Sequence, residues 1–140
     1  MTFTSDDRFA IADLIAMHGH LFDEGELDRL DELFTPQAVY DVSDFGQEPM
    51  RGVTAIREGA LALGDGNPVA HHVTNVVVTP AGEDTARVRS KGLGVTRAGS
   101  VGSVTYLDTV ERTPAGWRIS QRRVEARRRP LNGAAATQPE

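Results

Sequence analysis

The residues best suited to chemistry open the stretch Val69-Ala70-His71-His72-Val73-Thr74-Asn75-Val76-Val77-Val78-Thr79. Imidazole has the unperturbed pKa nearest neutrality, so a histidine on an otherwise apolar wall is a candidate proton carrier. It can equally be a hydrogen-bonded wall residue. Consecutive strand residues face opposite ways, so only one of His71 and His72 can look inward. His18 falls on the apolar stripe of the first helix and either lines a pocket or is a satisfied core histidine. Asp23 closes that helix, as a solvated part of the helix stop or as a carboxylate at the margin of the buried face. Tyr40 can donate to a carbonyl oxygen or simply pack. Tyr106 and Asp108 alternate onto one strand face, where Asp108 is a second acid or a structural hydrogen-bond acceptor. Metal chelation is disfavoured: His18 and His20 lie about 200° apart around a helix, and His71 and His72 diverge on a strand.

Positioning these groups requires a recognisable set of elements. Thr4 or Ser5 can cap a first helix whose opening turn holds Asp6 and Asp7, favourable at the positive dipole end. Its stripe is Ile11, Leu14, Ile15, Leu21 and Phe22. A flanking line of Ala12, Ala16 and Gly19 leads to Asp23 and permits close approach of another element or a ligand. A short second helix follows, with Leu27, Leu30 and Phe34 inward and Thr35-Pro36 as its stop. Ala38–Val42 reads as a strand and Ser43–Arg51 as a loop. Thr54 is the expected cap of a third helix reaching Leu63, with Ile56, Ala60 and Leu63 inward.

Four strands are expected after that: about Val69–Thr79, Thr85–Thr96, Val101–Arg112 and Gly116–Ala126. Short hairpin connections at Ala81-Gly82, Ala98-Gly99 and Pro114-Ala115-Gly116 join them. Three helices and an antiparallel meander make an α+β domain. The helices can cover one sheet face only. The other, assigned Val76 and Val78, needs a partner, which predicts a homodimer packed through the outer sheet face.

Composition narrows the function. The chain has 140 residues, 39% hydrophobic and 25% charged, with no cysteine, which suits one domain over residues 1–130 and a loose tail at 131–140. Cysteine chemistry and disulfides are excluded. A net charge of −5 argues against nucleic-acid binding. Arg118, Arg122, Arg123, Arg127, Arg128 and Arg129 do cluster near the C-terminus, but Trp117 is the only aromatic among them. No apolar run approaches the ~20 residues of a membrane span, and no signal-peptide pattern opens the chain; a cytoplasmic protein is the expectation. Phosphate loops, nucleotide fingerprints and nucleophile elbows are missing, leaving a cofactor-free reaction.

Several stretches, taken in order, carry a family likeness: Leu21-Phe22-Asp23-Glu24-Gly25-Glu26-Leu27-Asp28-Arg29-Leu30, Leu33-Phe34-Thr35-Pro36, Gly52-Val53-Thr54-Ala55-Ile56, His71-His72-Val73-Thr74-Asn75-Val76-Val77-Val78 and Gly116-Trp117-Arg118-Ile119-Ser120-Gln121-Arg122-Arg123-Val124. From about Asp7 to Val124 the chain resembles the SnoaL-like branch of the nuclear transport factor 2-like superfamily. The resemblance implies a cone: a strongly curved antiparallel sheet, of the cystatin-like α+β barrel type, closed by three N-terminal helices around a pocket. Two relatives, scytalone dehydratase and hexachlorocyclohexane dehydrochlorinase, place a cavity histidine where this chain has His71. In the dehydrochlorinase type an aspartate at the position of Asp23 pairs with it, and an arginine near Arg122 holds a leaving group.

Departures are visible. Scytalone dehydratase has tyrosine and aspartate where this chain has His18 and His20, and its second cavity histidine has no counterpart near Ser90 or Lys91. The dehydrochlorinase type has lysine at His18. The implied activity is a cofactor-independent lyase or isomerase acting on a small apolar or polyketide-like molecule. His71 and Asp23 are its expected catalytic residues, and His18, Arg122, Tyr40, Tyr106 and Asp108 its expected substrate contacts. Two other readings stay open: a non-catalytic binder of a small hydrophobic ligand, and an accessory subunit like that of ring-hydroxylating dioxygenases.

Overall fold

Thr4 begins the first helix, α1 (Ser5–Asp23), with a reciprocal cap. Its hydroxyl accepts from the Asp7 backbone N–H at 3.3 Å, and the Asp7 carboxylate accepts from the Thr4 N–H at 2.8 Å, satisfying two of the helix's orphan donors. The same carboxylate accepts from Arg112 at 2.8 Å and from the Trp117 indole at 3.1 Å. With Arg112 the foremost cause, its pKa is held well below the ordinary carboxylate range. At the other end the Gly25 N–H reaches Phe22 O and the Glu26 N–H reaches Leu21 O, with Gly25 at φ 70°. This is a Schellman stop, which glycine permits because it lacks a Cβ. It makes Asp23 the last helical residue.

In the computed structural model, which describes residues 2–137, the expected second helix is a six-residue 3-10 helix, Leu27–Glu32. It ends before Phe34, which instead opens strand β1 (Phe34–Asp41) and is 2% exposed. Pro36 lacks a backbone donor and falls inside the irregular part of β1, between Phe34 and Val39. The expected loop after it contains a 3-10 turn at Ser43–Phe45 and a two-residue strand, β2 (Met50–Arg51). Helix α2 (Val53–Leu63) is preceded by Gly52 at φ 88° with no side-chain cap, so Thr54 lies inside the helix rather than capping it.

Strands β3 (Ala70–Pro80), β4 (Thr85–Val95), β5 (Val101–Thr113) and β6 (Gly116–Ala126) form the expected antiparallel meander. The six-stranded sheet runs β2-β1-β6-β5-β4-β3 and remains open, with β2 and β3 at its edges. One joint is not antiparallel: β1 lies parallel to β6. These two come from opposite ends of the chain, so no hairpin dictates their direction. Ile11, Leu14, Ile15 and Leu21 of α1 and Ile56 of α2 pack with Val88, Val110, Trp117 and Ile119 of the sheet.

Two bulges set which side chains face that core. On β3, Thr74 pairs with Lys91 and Val77 with Arg89, so Asn75 and Val76 together oppose Ser90. Asn75 takes φ 55°, a left-handed conformation that asparagine tolerates better than most residues. The extra residue reverses the alternation. His71 and Val73 face inward before the bulge, and Val76 and Val78 pack on the core after it. Strict alternation assigned Val76 and Val78 to the outer face; the bulge corrects this, and Val77 is the one left half exposed. On β6 the register shifts between Thr109–Gln121 and Val110–Ile119, leaving Ser120 without a partner position. That bulge turns Arg122 inward and Arg123 outward. Bulges also increase local twist, which suits a curved sheet.

After β6, Pro130–Thr137 winds in 3-10 turns with left-handed backbone at Leu131, Asn132 and Gly133. Residues 138–140 of the expected tail lie outside the described residues. Among the described residues no helix is long and apolar enough to cross a membrane.

Candidate active site

A cavity of about 460 Å³ opens between α1, α2 and the sheet, within the usual range for small-molecule sites. Its walls are mainly apolar (Phe22, Val42, Met50, Ile56, Ala60 and Leu63), and its polar groups include His18, Tyr40 and His71. The imidazole of His71 donates through Nδ1 to Asp23 Oδ1 at 2.6 Å, and the His71 backbone N–H donates to Asp23 Oδ2 at 2.9 Å. Both oxygens of one carboxylate are thus committed to one residue. In the neutral ring this bond selects the Nδ1–H tautomer, whose Nε2 carries a lone pair that can accept a proton. Asp23 sits at the negative end of the α1 dipole, a placement that costs a carboxylate about 0.3–1 kcal/mol. The two hydrogen bonds from His71 offset it.

The sequence placed Gly19 in a line of small residues, and it marks where α1 touches β3. A side-chain carbon there would lie 2.9 Å from the His71 carbonyl oxygen. By contrast Ala16, of the same line, is exposed.

His18 is 3% exposed, stacks on Phe22 with ring centres 4.3 Å apart, and meets the His71 ring edge-on at 6.0 Å. Burial first, then the charges of Arg122 and His71, push its pKa well below the ordinary imidazole value. At neutral pH it is therefore uncharged. Its Nε2 lies 3.1 Å from the Tyr40 hydroxyl. Burial raises the Tyr40 pKa, so that phenol also stays neutral. The pair offers hydrogen bonds without a formal charge.

Arg122, Asp108 and Tyr106 were expected to contact substrate, but they do not line the cavity. They form a layer within the sheet's inner face. Arg122 is 1% exposed and donates from Nε and Nη2 to the two Asp108 oxygens at 2.7 and 2.9 Å. Its guanidinium also lies 4.0 Å from the Tyr106 ring centre. Burial opposes the charge on Arg122, but Asp108 more than restores it, and the pKa is raised overall. Tyr106 is pushed up by burial. A side-chain carbon at Gly92 would collide with the Tyr106 ring, so that glycine is what lets the phenol lie across β4. Arg122 acts on the site as a fixed charge felt by His18 and Tyr40, with Nε and Nη2 engaged by Asp108 and a side-chain hydrogen bond to Tyr40 besides. His72 is exposed on the other sheet face. Among the described residues no three histidine or acidic side chains converge to hold a metal ion.

The SnoaL-like domain family matches residues 4–123. The chain belongs to that family. No curated protein matches the sequence, but solved structures do. A protein of Novosphingobium aromaticivorans with a provisional assignment as an aromatic ring hydroxylase is 31% identical. It covers 91% of this chain and 94% of its own, at a TM-score of 0.77. An NTF2-like protein with a cystatin-like fold from the same organism is 32% identical over 95% and 90% of the two chains, with a TM-score of 0.74. LinA, a hexachlorocyclohexane dehydrochlorinase, is 21% identical over 86% of each chain, with a TM-score of 0.69, and shares the fold. This SnoaL-like chain also builds its pocket from residues that sequence patterns did not single out: Val42, Gln47, Met50, Asn67 and Pro68. The available signal was Gly59 inside α2, where a side-chain carbon would overlap the Met50 sulfur. It marks the helix's close approach to β2 and so the cavity wall.

Proposed function

We propose that this SnoaL-like protein removes a proton from carbon of a compact, largely apolar substrate, with His71 as the base and Asp23 as its orienting partner. The observation that carries this reading is the 2.6 Å bond from His71 Nδ1 to Asp23 with the same ring on the cavity wall. A carboxylate on one nitrogen fixes the tautomer and stabilises the imidazolium formed when the other nitrogen takes a proton. General-base assistance of this kind contributes on the order of 100- to 10,000-fold in rate.

In the proposed step, His71 Nε2 takes the proton and the C–H electron pair moves toward an electron-accepting group. Where that group is a carbonyl, the oxyanion grows beside the neutral His18–Tyr40 pair, which donates to it. The enolate then reprotonates at another carbon, as in an isomerase, or expels a β-substituent, as in a lyase. Arg122, held by Asp108 and hydrogen-bonded to the Tyr40 side chain, lends its positive charge to the developing oxyanion.

A ligand carrier of this fold would have a pocket without a use for the His–Asp contact, and that contact favours an enzyme. The test is hydrogen exchange on a probe carbon acid, 2-tetralone, followed in D₂O by NMR. The parent chain is expected to accelerate deuterium entry at the activated carbon. The His71→Ala variant is expected to lose that acceleration 100-fold or more. Equal rates for the two proteins would overturn the proposal.

A further inference from the structure

We infer that Gly19 is a positioning residue of this site: the missing side chain sets a helix-to-strand gap that an aspartate one turn later can bridge. The inference rests on the reading of His71 and Asp23 above. Gly19 is helical, so no left-handed backbone demands glycine there, and helix propensity alone favours alanine. Space is what demands it. A Cβ at residue 19 would lie 2.9 Å from the carbonyl oxygen and 3.3 Å from the Cβ of His71. The nearer atom is backbone rather than the tip of a flexible side chain, so the strain passes to α1 or β3 as a whole.

Residues 19 and 23 are four apart and share one helix face. β3 is an edge strand, and the His71 N–H donates to Asp23 Oδ2 while Nδ1 donates to Oδ1. Backbone and ring of one residue are thus held by one short side chain. A carboxylate with a single methylene has little reach with which to follow a displaced helix. Adding a methyl group at position 19 therefore acts on the orientation of the His71 ring, although it touches neither that ring nor the cavity.

The experiment compares the parent, Gly19→Ala, Asp23→Glu and the combination of both, each labelled with ¹⁵N in histidine. The readouts are the His71 ring-nitrogen shifts, which report the tautomer, and the exchange rate of the His71 amide. The parent should show a protonated Nδ1 and a protected amide. In Gly19→Ala both should be lost, with exchange at least tenfold faster. Asp23→Glu, one methylene longer, should recover the Nδ1 signature in the Gly19→Ala background, which a general loss of packing would not allow.

A folded Gly19→Ala protein with His71 signals unchanged would overturn the inference, as would failure of Asp23→Glu to restore them. If Gly19→Ala does not fold, Asp23→Glu alone probes the same gap. It should disturb the tautomer and the amide, and unchanged signals would again overturn the inference. Lost His71 signals alongside an undiminished 2-tetralone exchange rate would support the role of Gly19 and sink the proposed function, so the two claims fail separately.

Discussion

Burial holds the His18 imidazole neutral, and this has a signature in stability. The unfolded chain takes up a proton at His18 near the ordinary value of 6.5, whereas the folded chain resists until the pH is well below it. Below that value the unfolded state binds more protons, so stability is full above it and falls as the pH is lowered through and beneath it. Urea denaturation at pH 7.5 and 5.5 should show this loss in the parent and a smaller one in His18→Phe, which keeps the stack on Phe22. Equal losses would contradict the assignment. Arg122 and Asp108 make a second prediction. Asp108→Ala leaves a buried guanidinium without its partner and should cost about 3–5 kcal/mol in the same measurement. The paired change Arg122→Met with Asp108→Leu should recover most of that. A cost below about 1 kcal/mol for Asp108→Ala would show that the pair is not what holds this layer. At this scale much of the site was legible. His18, His71 and Asp23 stood out by type and place. The Arg122–Asp108 pairing did not, because partners 14 residues apart on different strands meet only through the register of the β5–β6 hairpin.

The elements that present these residues were readable where local chemistry decides them. The Thr4–Asp7 cap, the Gly25 stop and the three hairpins each have their own signal in the chain. The bulges do not. Strict alternation along Val69–Thr79 is a fair reading of a regular strand, and Asn75 alone gives no warning that it will take φ 55°. The start of β1 at Phe34 was hidden similarly, because a buried phenylalanine fits either a helix stripe or a strand. The Asn75 bulge can be tested directly. Asn75→Gly should leave stability nearly unchanged, since glycine accepts a left-handed backbone freely. Asn75→Val should cost about 1–2 kcal/mol, measured by urea denaturation. Equal stability of the two variants would mean that the bulge relaxes rather than holds the register.

For the whole molecule, the order of motifs reported the fold better than any one of them, because a helix, a short strand, a helix and a meander can close a cone in few ways. The outer sheet face is arginine-rich and carries the half-exposed Val77 on its edge strand. It holds a shallow concavity lined by Val77 and Leu107 among Arg87, Arg89 and Arg123, and we propose that a second copy of the chain covers it. Light scattering should give twice the chain mass, with Leu107→Asp monomeric. Added salt should strengthen the association, since it screens the arginines that two such faces bring together. A monomer at all salt concentrations would remove the proposal. The central claim, that Asp23 and His71 act as one unit on a C–H bond, is tested most directly by a double-mutant cycle on 2-tetralone deuterium exchange. The parent, Asp23→Asn, His71→Ala and the double variant are compared. The prediction is that the double variant is no slower than His71→Ala alone, because a partner whose only role is to orient the base has nothing left to do once the base is gone. Multiplying losses from the two substitutions, or a His71→Ala protein as fast as the parent, would contradict it.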